Sequence, residues 1–349
     1  MKYLAADLFA GCGGLTEGMH EAGFETVLAF ELEPVAVQTY RMNHPGTEVI
    51  EGDIRNVDLE SIKKKLNGQT LHLLAGCPPC QGFSSVRRLN RKQAVDDKRN
   101  SLILEFLRFV KELRPYTIMM ENVPGLKEYD QFKKVVSELT SDELGYQVDV
   151  RVVNVKDYGV AQSRKRLVLL GSRLKQSTPI LVAGPTGERR TVRHEIEHLP
   201  SPDETDDELH KMVSTHTDAV MKRIQLTPKN GGSWKDLPSE YVLNCHSKPN
   251  VGFNDIYGRL RWDDYSSTIT GGCLNPSKGR FLHPVQDRAI TPREAALLQS
   301  FPDNYRFPVS IKKADLALMI GNALPPRFSK VQCNHLKNHL DTYLEPSDI

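Results

Sequence analysis

The sequence predicts an α/β fold, a doubly wound and mostly parallel sheet that carries a smaller, loop-rich domain. Three observations predict it. Short apolar runs alternate with segments of helical spacing through the first 173 residues. A glycine-rich turn closes the first of those runs, and after Arg173 the composition shifts towards Pro, Gly, Asn, Ser and Thr. Such alternation is what a parallel sheet covered on both faces requires. At 349 residues the chain has room for one large domain and a smaller one.

Strands are read at 3–9, 25–31, 48–54, 71–76, 116–123, 147–154 and 166–171, each a short apolar run. Helices are read near 14–22, 34–43, 58–66, 100–113 and 127–139. Pro34 suits a first helical turn, and "SLILEFLRFVKEL" keeps apolar residues at helical spacing. Residues 174–290 hold an acidic run, "DETDDE" at 203–208, and few periodic segments. A final helical stretch, "KKADLALMIGNALPPRFSKVQCNHLKNHL", is expected to return to the sheet. The sheet domain is therefore drawn as 1–173 plus 310–349, and the loop-rich domain with its hinge as 174–309.

Hydrophobic residues at 39% and charged residues at 26% are those of a soluble globular protein. No apolar run approaches the ~20 residues that span a bilayer, and "MKYLAADLF" lacks a signal peptide's cleavage region. Six cysteines are too sparse for a disulfide framework, so a reducing cytoplasm is expected. The net charge of +2 excludes little, but its distribution is informative. Residues 87–99 carry Arg87, Arg88, Arg91, Lys92, Lys98 and Arg99 against Asp96 and Asp97. Such a run is a solvated face or a grip for phosphates.

In "DLFAGCGGLTEGM", Gly11, Gly13 and Gly14 allow a tight turn and close backbone approach at a helix N-terminus. As a dinucleotide fingerprint it is imperfect, because Thr16 stands where a third glycine belongs. The second strand ends in Glu31, placed to accept from a ribose; the third ends in "GDI", where Asp53 could accept from an adenine amino group. Glycine loop, acid and acid at three successive strand ends favour an adenosyl ligand. Either acid alone could equally be a helix cap or a solvated loop residue.

"LLAGCPPCQGFSS" at 73–85 sets Cys77 and Cys80 around two prolines. A redox pair needs both sulfurs at a helix start, and a zinc site needs two more ligands with comparable spacing among Cys245, His246 and Cys273. Neither pattern is met. Cys77 reads as a small core residue, and Cys80 as a nucleophile at the carboxyl edge of the fourth strand, where open parallel sheets hold ligands. The fifth strand closes with "MMENVPG", bringing Glu121 to the same edge. A carboxylate would oppose thiolate formation, so its task is to bond or protonate a ring nitrogen of a bound base. Arg164 and Arg166 in "QSRKRLVLLG" offer fixed donor forks for carbonyls or phosphates.

In this order, "DLFAGCGGL", "GDI", "GCPPCQGFS", "ENVPGL", "QSRKR", "REAALLQSFPDNY" and "IGNALPP" strongly resemble the DNA cytosine-C5 methyltransferases. The resemblance covers nearly all of the chain outside about residues 175–255. It implies the S-adenosylmethionine-dependent methyltransferase fold, with 1–173 plus 310–349 as catalytic domain and 174–309 as target-recognition domain. It implies that S-adenosyl-L-methionine, leaving as S-adenosyl-L-homocysteine, is bound by Phe9, Gly11, Cys12, Gly13, Gly14, Glu31, Leu32, Asp53, Ile54, Pro79, Leu102 and Asn322. The nucleophile falls on Cys80, the acid on Glu121 and the supporting arginines on Arg164 and Arg166. DNA contacts fall on Gln81, Ser85, Arg87 and Arg88 of a closing loop, and on Thr268, Thr270 and Gly271 of "TITGG". The expected partners are double-stranded DNA and a cognate restriction endonuclease acting on the same site, with no metal and no membrane. The expected state is a cytoplasmic monomer of bacterial or phage origin.

A transfer-RNA cytosine methyltransferase shares much of this pattern but usually lacks so full a recognition domain; here about 115 residues separate Arg173 from "TPREAALLQSFP". A DNA-binding module without catalysis has no need of Cys80, Glu121 and Arg166. A dehydrogenase or thiol oxidoreductase is the most distant rival. The recognised DNA sequence is not legible; Arg259, Arg261, Trp234 and Asn230 are conceivable readers, with structural or phosphate roles equally open.

Overall fold

The computed structural model describes residues 3–79, 101–175, 177–246 and 255–344. These form two compact units: residues 1–154, 165–186 and 324–349 make the first, and 155–164 with 187–323 the second. The division falls at other places than composition suggests. Residues 310–323 pack with the second unit, 174–186 with the first, and the short excursion 155–164 with the second.

The first unit is built on a seven-stranded sheet in the order β3-β2-β1-β4-β5-β7-β6. Its strands are β1 (Tyr3–Leu8), β2 (Phe24–Glu31), β3 (Glu48–Glu51), β4 (Leu73–Gly76), β5 (Thr117–Asn122), β6 (Gln147–Asn154) and β7 (Lys165–Ser172). Strands β1 to β5 are mutually parallel, whereas β7 runs antiparallel to both β5 and β6. β3 is shorter than its apolar run suggests, because Gly52 turns at φ +137° and Asp53 caps a 3₁₀ turn at Ile54–Asn56. The intervening helices are α1 (Gly14–Glu21), α2 (Pro34–Asn43), α3 (Leu59–Leu66), α4 (Leu102–Leu113) and α5 (Asp130–Leu139). The apolar face of α4 buries Ile103, Phe106, Phe109 and Val110 against Leu74 and Met120 of the sheet. Side chains of this size contribute about 1.5–3 kcal/mol each on full burial.

The last helical stretch is two helices, not one. α9 (Lys313–Asn322) belongs to the second unit and α10 (Pro326–Tyr343) to the first, with Pro325 and Pro326 at the break. α10 crosses α1 at Gly18, where a Cβ would lie 2.1 Å from Ser329 Oγ and 2.5 Å from the Pro326 carbonyl oxygen. Only a glycine lets the two backbones meet there.

The second unit is loop-rich, with α6 (Val192–Ile196), α7 (Asp218–Leu226), α8 (Pro292–Leu298) and α9. A small apolar cluster of Ile224, Tyr257 and Leu282 anchors part of it. Polar anchors do much of the rest. Thr291 caps α8, and Arg288 forms a buried pair with Glu294 at 2.7 Å. Arg259 is 0% exposed and gives its guanidinium to the carbonyl oxygens of Ile224, Thr227, His283 and Gln286 and to Asp287. It is a loop brace, which removes it from the conceivable base readers.

Candidate active site

The register of the sheet decides which residues meet. Leu8 pairs with Phe30 and with Gly76, Gly76 with Met120, and Glu31 with Glu51. Residues just past these partners therefore emerge at one edge: Phe9, Leu32, Asp53, Cys77 and Glu121. This carboxyl edge is where a parallel sheet leaves room for a ligand.

The glycine loop follows β1. Phe9, Gly11 and Gly13 have φ of 60°, 56° and 91°, and Gly13 is the N-cap of α1. Glu31 fixes the loop: its Oε2 accepts from the Gly11 backbone N–H at 2.7 Å, and its Oε1 from Leu32 and Glu33 N–H, each at 2.8 Å. Cys12 is buried, which pushes its thiol up to about 12, so it acts as a neutral apolar wall. Beneath the loop, Thr16 donates to Asp7 Oδ2 at 2.7 Å and meets the Tyr40 hydroxyl at 2.8 Å. The residue that spoils the dinucleotide fingerprint thus has a structural task of its own. Leu32, just past the end of β2, is 55% exposed, and Ile54 is buried in the 3₁₀ turn that follows β3. Asp53 is partly a cap, as its simplest reading allowed. It accepts from Arg55 N–H at 3.0 Å and from Arg55 Nε at 2.9 Å, and these bonds hold its carboxyl below the usual range. Pro79 is exposed, Leu102 is half-buried in the first turn of α4, and Asn322 is exposed at the end of α9 in the second unit.

Glu121 lies at the end of β5 and is 7% exposed. Arg166 enters β7 at the end where β5 leaves, because the two strands are antiparallel, and its Nε stands 2.6 Å from Glu121 Oε1. That approach is short but off-line: among the described residues Oε1 is buried without a directed hydrogen bond. The carboxylate is buried and paired in charge with Arg166, so its charge is compensated at the carboxyl edge of the sheet. Burial, followed by the nearby Glu121 and Asp7 carboxylates, pushes the Cys77 thiol well above its ordinary value; Arg166 opposes this. Cys77 is thereby kept as a thiol.

Asn122 is a residue the sequence reading passed over. Its Nδ2 donates to the Pro78 carbonyl oxygen at 2.8 Å and its Oδ1 accepts from Val123 N–H. It ties the chain just ahead of Cys80 to the end of β5. Cys80, Gln81, Ser85, Arg87 and Arg88 lie outside the described residues.

Arg164 sits elsewhere. It is buried in the second unit, its Nη1 donating to the carbonyl oxygens of Ile269 at 3.0 Å and Gly321 at 2.8 Å. Gln162 gives Nε2 to Gln299 Oε1 at 2.6 Å and accepts from Ile269 N–H at 2.9 Å, while Gln299 reaches Ile320 O at 2.6 Å. "QSRKR", "TITGG", "LLQSFP" and "IGN" are thus four distant stretches tied into one buried knot. Thr268 donates to Ser163 O at 2.8 Å, Thr270 is exposed, and Gly271 faces Leu318, whose Cδ1 a Cβ would meet at 2.9 Å. Arg166, not Arg164, is the arginine that faces Glu121.

The family model described as C-5 cytosine-specific DNA methylase matches residues 3–338. The chain belongs to that family. The methylase is 36% identical over 348 residues to the type II methylase M.HgiDII of Herpetosiphon aurantiacus, covering 96% of this chain and 95% of that one. It is 35% identical to the type II methyltransferase M1.HphI of Haemophilus parahaemolyticus, covering 93% and 84%. Among solved structures, it superposes on a prophage-encoded DNA modification methyltransferase of E. coli with a TM-score of 0.75 at 25% identity, covering 97% and 100%. The S. pombe Dnmt2 methyltransferase, at 18% identity and a TM-score of 0.67 over 97% and 100%, shares the fold. The methylase is a DNA cytosine-5 methyltransferase of the type found in restriction–modification systems. Family and fold imply S-adenosylmethionine as the methyl donor. The sheet edge fits it: the Glu31-braced glycine loop offers close backbone approach, and the exposed part of Leu32 offers apolar surface for a flat ring. Among the described residues no group of three His, Cys, Asp or Glu side chains could hold a metal ion, and no helix is long and apolar enough to cross a membrane.

Proposed function

We propose that the methylase transfers a methyl group from S-adenosylmethionine to C5 of a cytosine flipped out of a specific duplex DNA sequence, through a covalent bond between Cys80 and C6. The observation that carries this reading is the Glu121–Arg166 pair at the carboxyl edge, with Asn122 holding Pro78 beside it.

Cytosine C5 is a weak nucleophile, and inside a duplex it is out of reach. Extruding the base costs a few kcal/mol. The Cys80 thiolate adds to C6, breaking the C5=C6 π bond and sending its electron pair towards C5 and N3. Glu121 accepts from the N4 amino group and supports the proton at N3 as charge gathers there. Arg166 keeps that carboxylate aligned and presents its remaining donors to O2. Bound S-adenosylmethionine supplies an electrophilic methyl group, which the activated C5 accepts. Water takes the C5 proton, the C–H electron pair re-forms the C5=C6 double bond and expels Cys80 as thiolate, and the N3 proton is given up as the ring becomes neutral again. In this scheme Glu31, the glycine loop and Leu32 hold the donor, and Asp53 serves the adenine only if Arg55 yields one of its bonds. Arg164 is a positioning residue that fixes the 269–271 segment. The basic run at 87–99, with Gln81 and Ser85, closes over DNA phosphates. Host protection alongside a cognate endonuclease is supported by the type II methylases that the chain resembles along most of its length. A monomer acting in the cytoplasm is the simplest form of such an enzyme.

The test is a duplex carrying 5-fluorocytosine at the target position, incubated with the methyl donor. Fluorine cannot leave as a cation, so the adduct should accumulate and map by peptide mass to Cys80, with none formed by Cys80→Ala. Modification of normal duplex without any trapped adduct would refute the covalent route.

A further inference from the structure

The geometry points to Arg261 as the reader of a guanine in the recognised sequence, with Gly231 lacking a side chain so that the arginine can be held in place. The inference rests on the assigned DNA methylation and adds a specificity-determining pair to it.

Other arginines of the second unit are committed to the protein. Arg259 braces four carbonyl groups. Arg280 donates to the carbonyl oxygens of Gly231, Gly232 and Arg259 and pairs with Asp255, and Arg288 is buried on Glu294. Arg261 differs. Its side chain is 56% exposed, it makes no hydrogen bond among the described residues, and its ion-pair partner Asp264 stands at 3.8 Å. At that separation and exposure the pair holds the guanidinium weakly.

The stem, by contrast, is seated. Gly231 has φ +120°, and a Cβ there would lie 2.4 Å from Arg261 Nε and 2.8 Å from its Cγ. The backbone on either side is tied down: Leu260 N–H donates to Leu282 O at 2.9 Å and Trp262 N–H to Asn230 Oδ1 at 2.8 Å. Asn230 N–H in turn donates to Pro284 O at 2.8 Å. Asn230, one of the conceivable readers, therefore uses its side chain inside the loop. What remains is a planar guanidinium on a braced loop, its Nε seated against Gly231 and its side chain 56% exposed. Phosphate contacts tolerate a flexible cation, whereas bidentate bonding to guanine O6 and N7 needs a fork held in one direction. A stem lying in the space a glycine leaves free supplies that direction.

Wild type, Arg261→Ala, Arg261→Lys and Gly231→Ala are each expressed in a host, and the methylated sites are read by bisulfite sequencing. The expected result is that all three variants lose discrimination at the same single G·C pair, by about ten- to hundredfold, while other positions hold. A uniform fall over all sites, with the salt dependence of duplex affinity reduced by about one counterion, would make Arg261 a phosphate contact and overturn the proposal. A site unchanged in Arg261→Lys overturns it too, as does loss of methylation in all three variants with duplex affinity intact. A wild-type arm without 5-methylcytosine would instead remove the activity on which the inference stands.

Discussion

Asp7 is fully buried beneath the glycine loop, with Oδ2 bonded to Thr16 and Oδ1 without a hydrogen-bond partner among the described residues. Burial pushes its carboxyl from 3.8 up to about 7; the Thr16 bond opposes this and Glu31 adds to it. Each pKa unit corresponds to about 1.36 kcal/mol, so a rise of about three units is worth about 4 kcal/mol as an upper order of magnitude. The sign follows from proton counting. Between pH 4 and pH 7 the folded protein holds a proton on Asp7 that the unfolded chain has released, so this group's contribution is greatest at low pH and is lost as pH rises towards 7. Asp7→Asn keeps the shape and removes the titration. Urea unfolding of both proteins from pH 5 to pH 8 should show wild type losing about 2 kcal/mol relative to the variant between pH 5 and pH 7, and little more above. Both tryptophans, Trp234 and Trp262, belong to the second unit, so circular dichroism is the proper probe. Two stability curves that stay parallel over this range would show that Asp7 titrates as it does in the unfolded chain, and the argument from burial would fail.

Three further outcomes are expected. Cys77→Ala should retain substantial methyl transfer while Cys80→Ala retains none, both binding S-adenosylmethionine; steady-state rates and calorimetry decide it, and an inactive, folded Cys77→Ala would restore a paired-cysteine mechanism. Asn122→Ala, which frees the Pro78 carbonyl, should lower kcat about 10²-fold with little change in donor binding, since a misplaced nucleophile costs roughly that much; an unchanged kcat would deny the bond any role in positioning. Arg259→Ala removes a buried donor shared by four carbonyl groups and Asp287, leaving the Thr227 and His283 carbonyls unmatched while Asp287 keeps Lys229, and should destabilise the second unit by about 2–4 kcal/mol, read as an early tryptophan fluorescence transition.

Much of the first unit was legible because burial imposes a period. Runs such as "LLAG" and "TIMMEN" read as strands buried on both faces, which they are, and α4 writes its apolar face at helical spacing. Strand direction was less so. Nothing in "RLVLLG" distinguishes an antiparallel β7 from a parallel one, yet that direction is what brings Arg166 to Glu121. The end of β3 was overrun because Ile54 is apolar but serves a 3₁₀ turn. In the second unit the informative contacts are polar and long-range. An arginine in a Pro- and Gly-rich stretch reads as a surface cation, but a loop-built domain has many carbonyl groups to satisfy, and Arg259 and Arg164 spend their donors on them. Gln162 and Gln299 are 137 residues apart, a separation no periodicity encodes.

The crossing of α1 and α10 at Gly18 has a consequence for how the enzyme comes into being. The helix that opens the glycine loop is made within the first two dozen residues, but the helix it rests on follows after the whole second unit. A nascent or truncated chain can lay down most of the sheet and still leave one flank of α1 bare. A premature stop before Pro326 should therefore silence methyl-donor binding from a distance, though α10 contributes no residue to the proposed cradle.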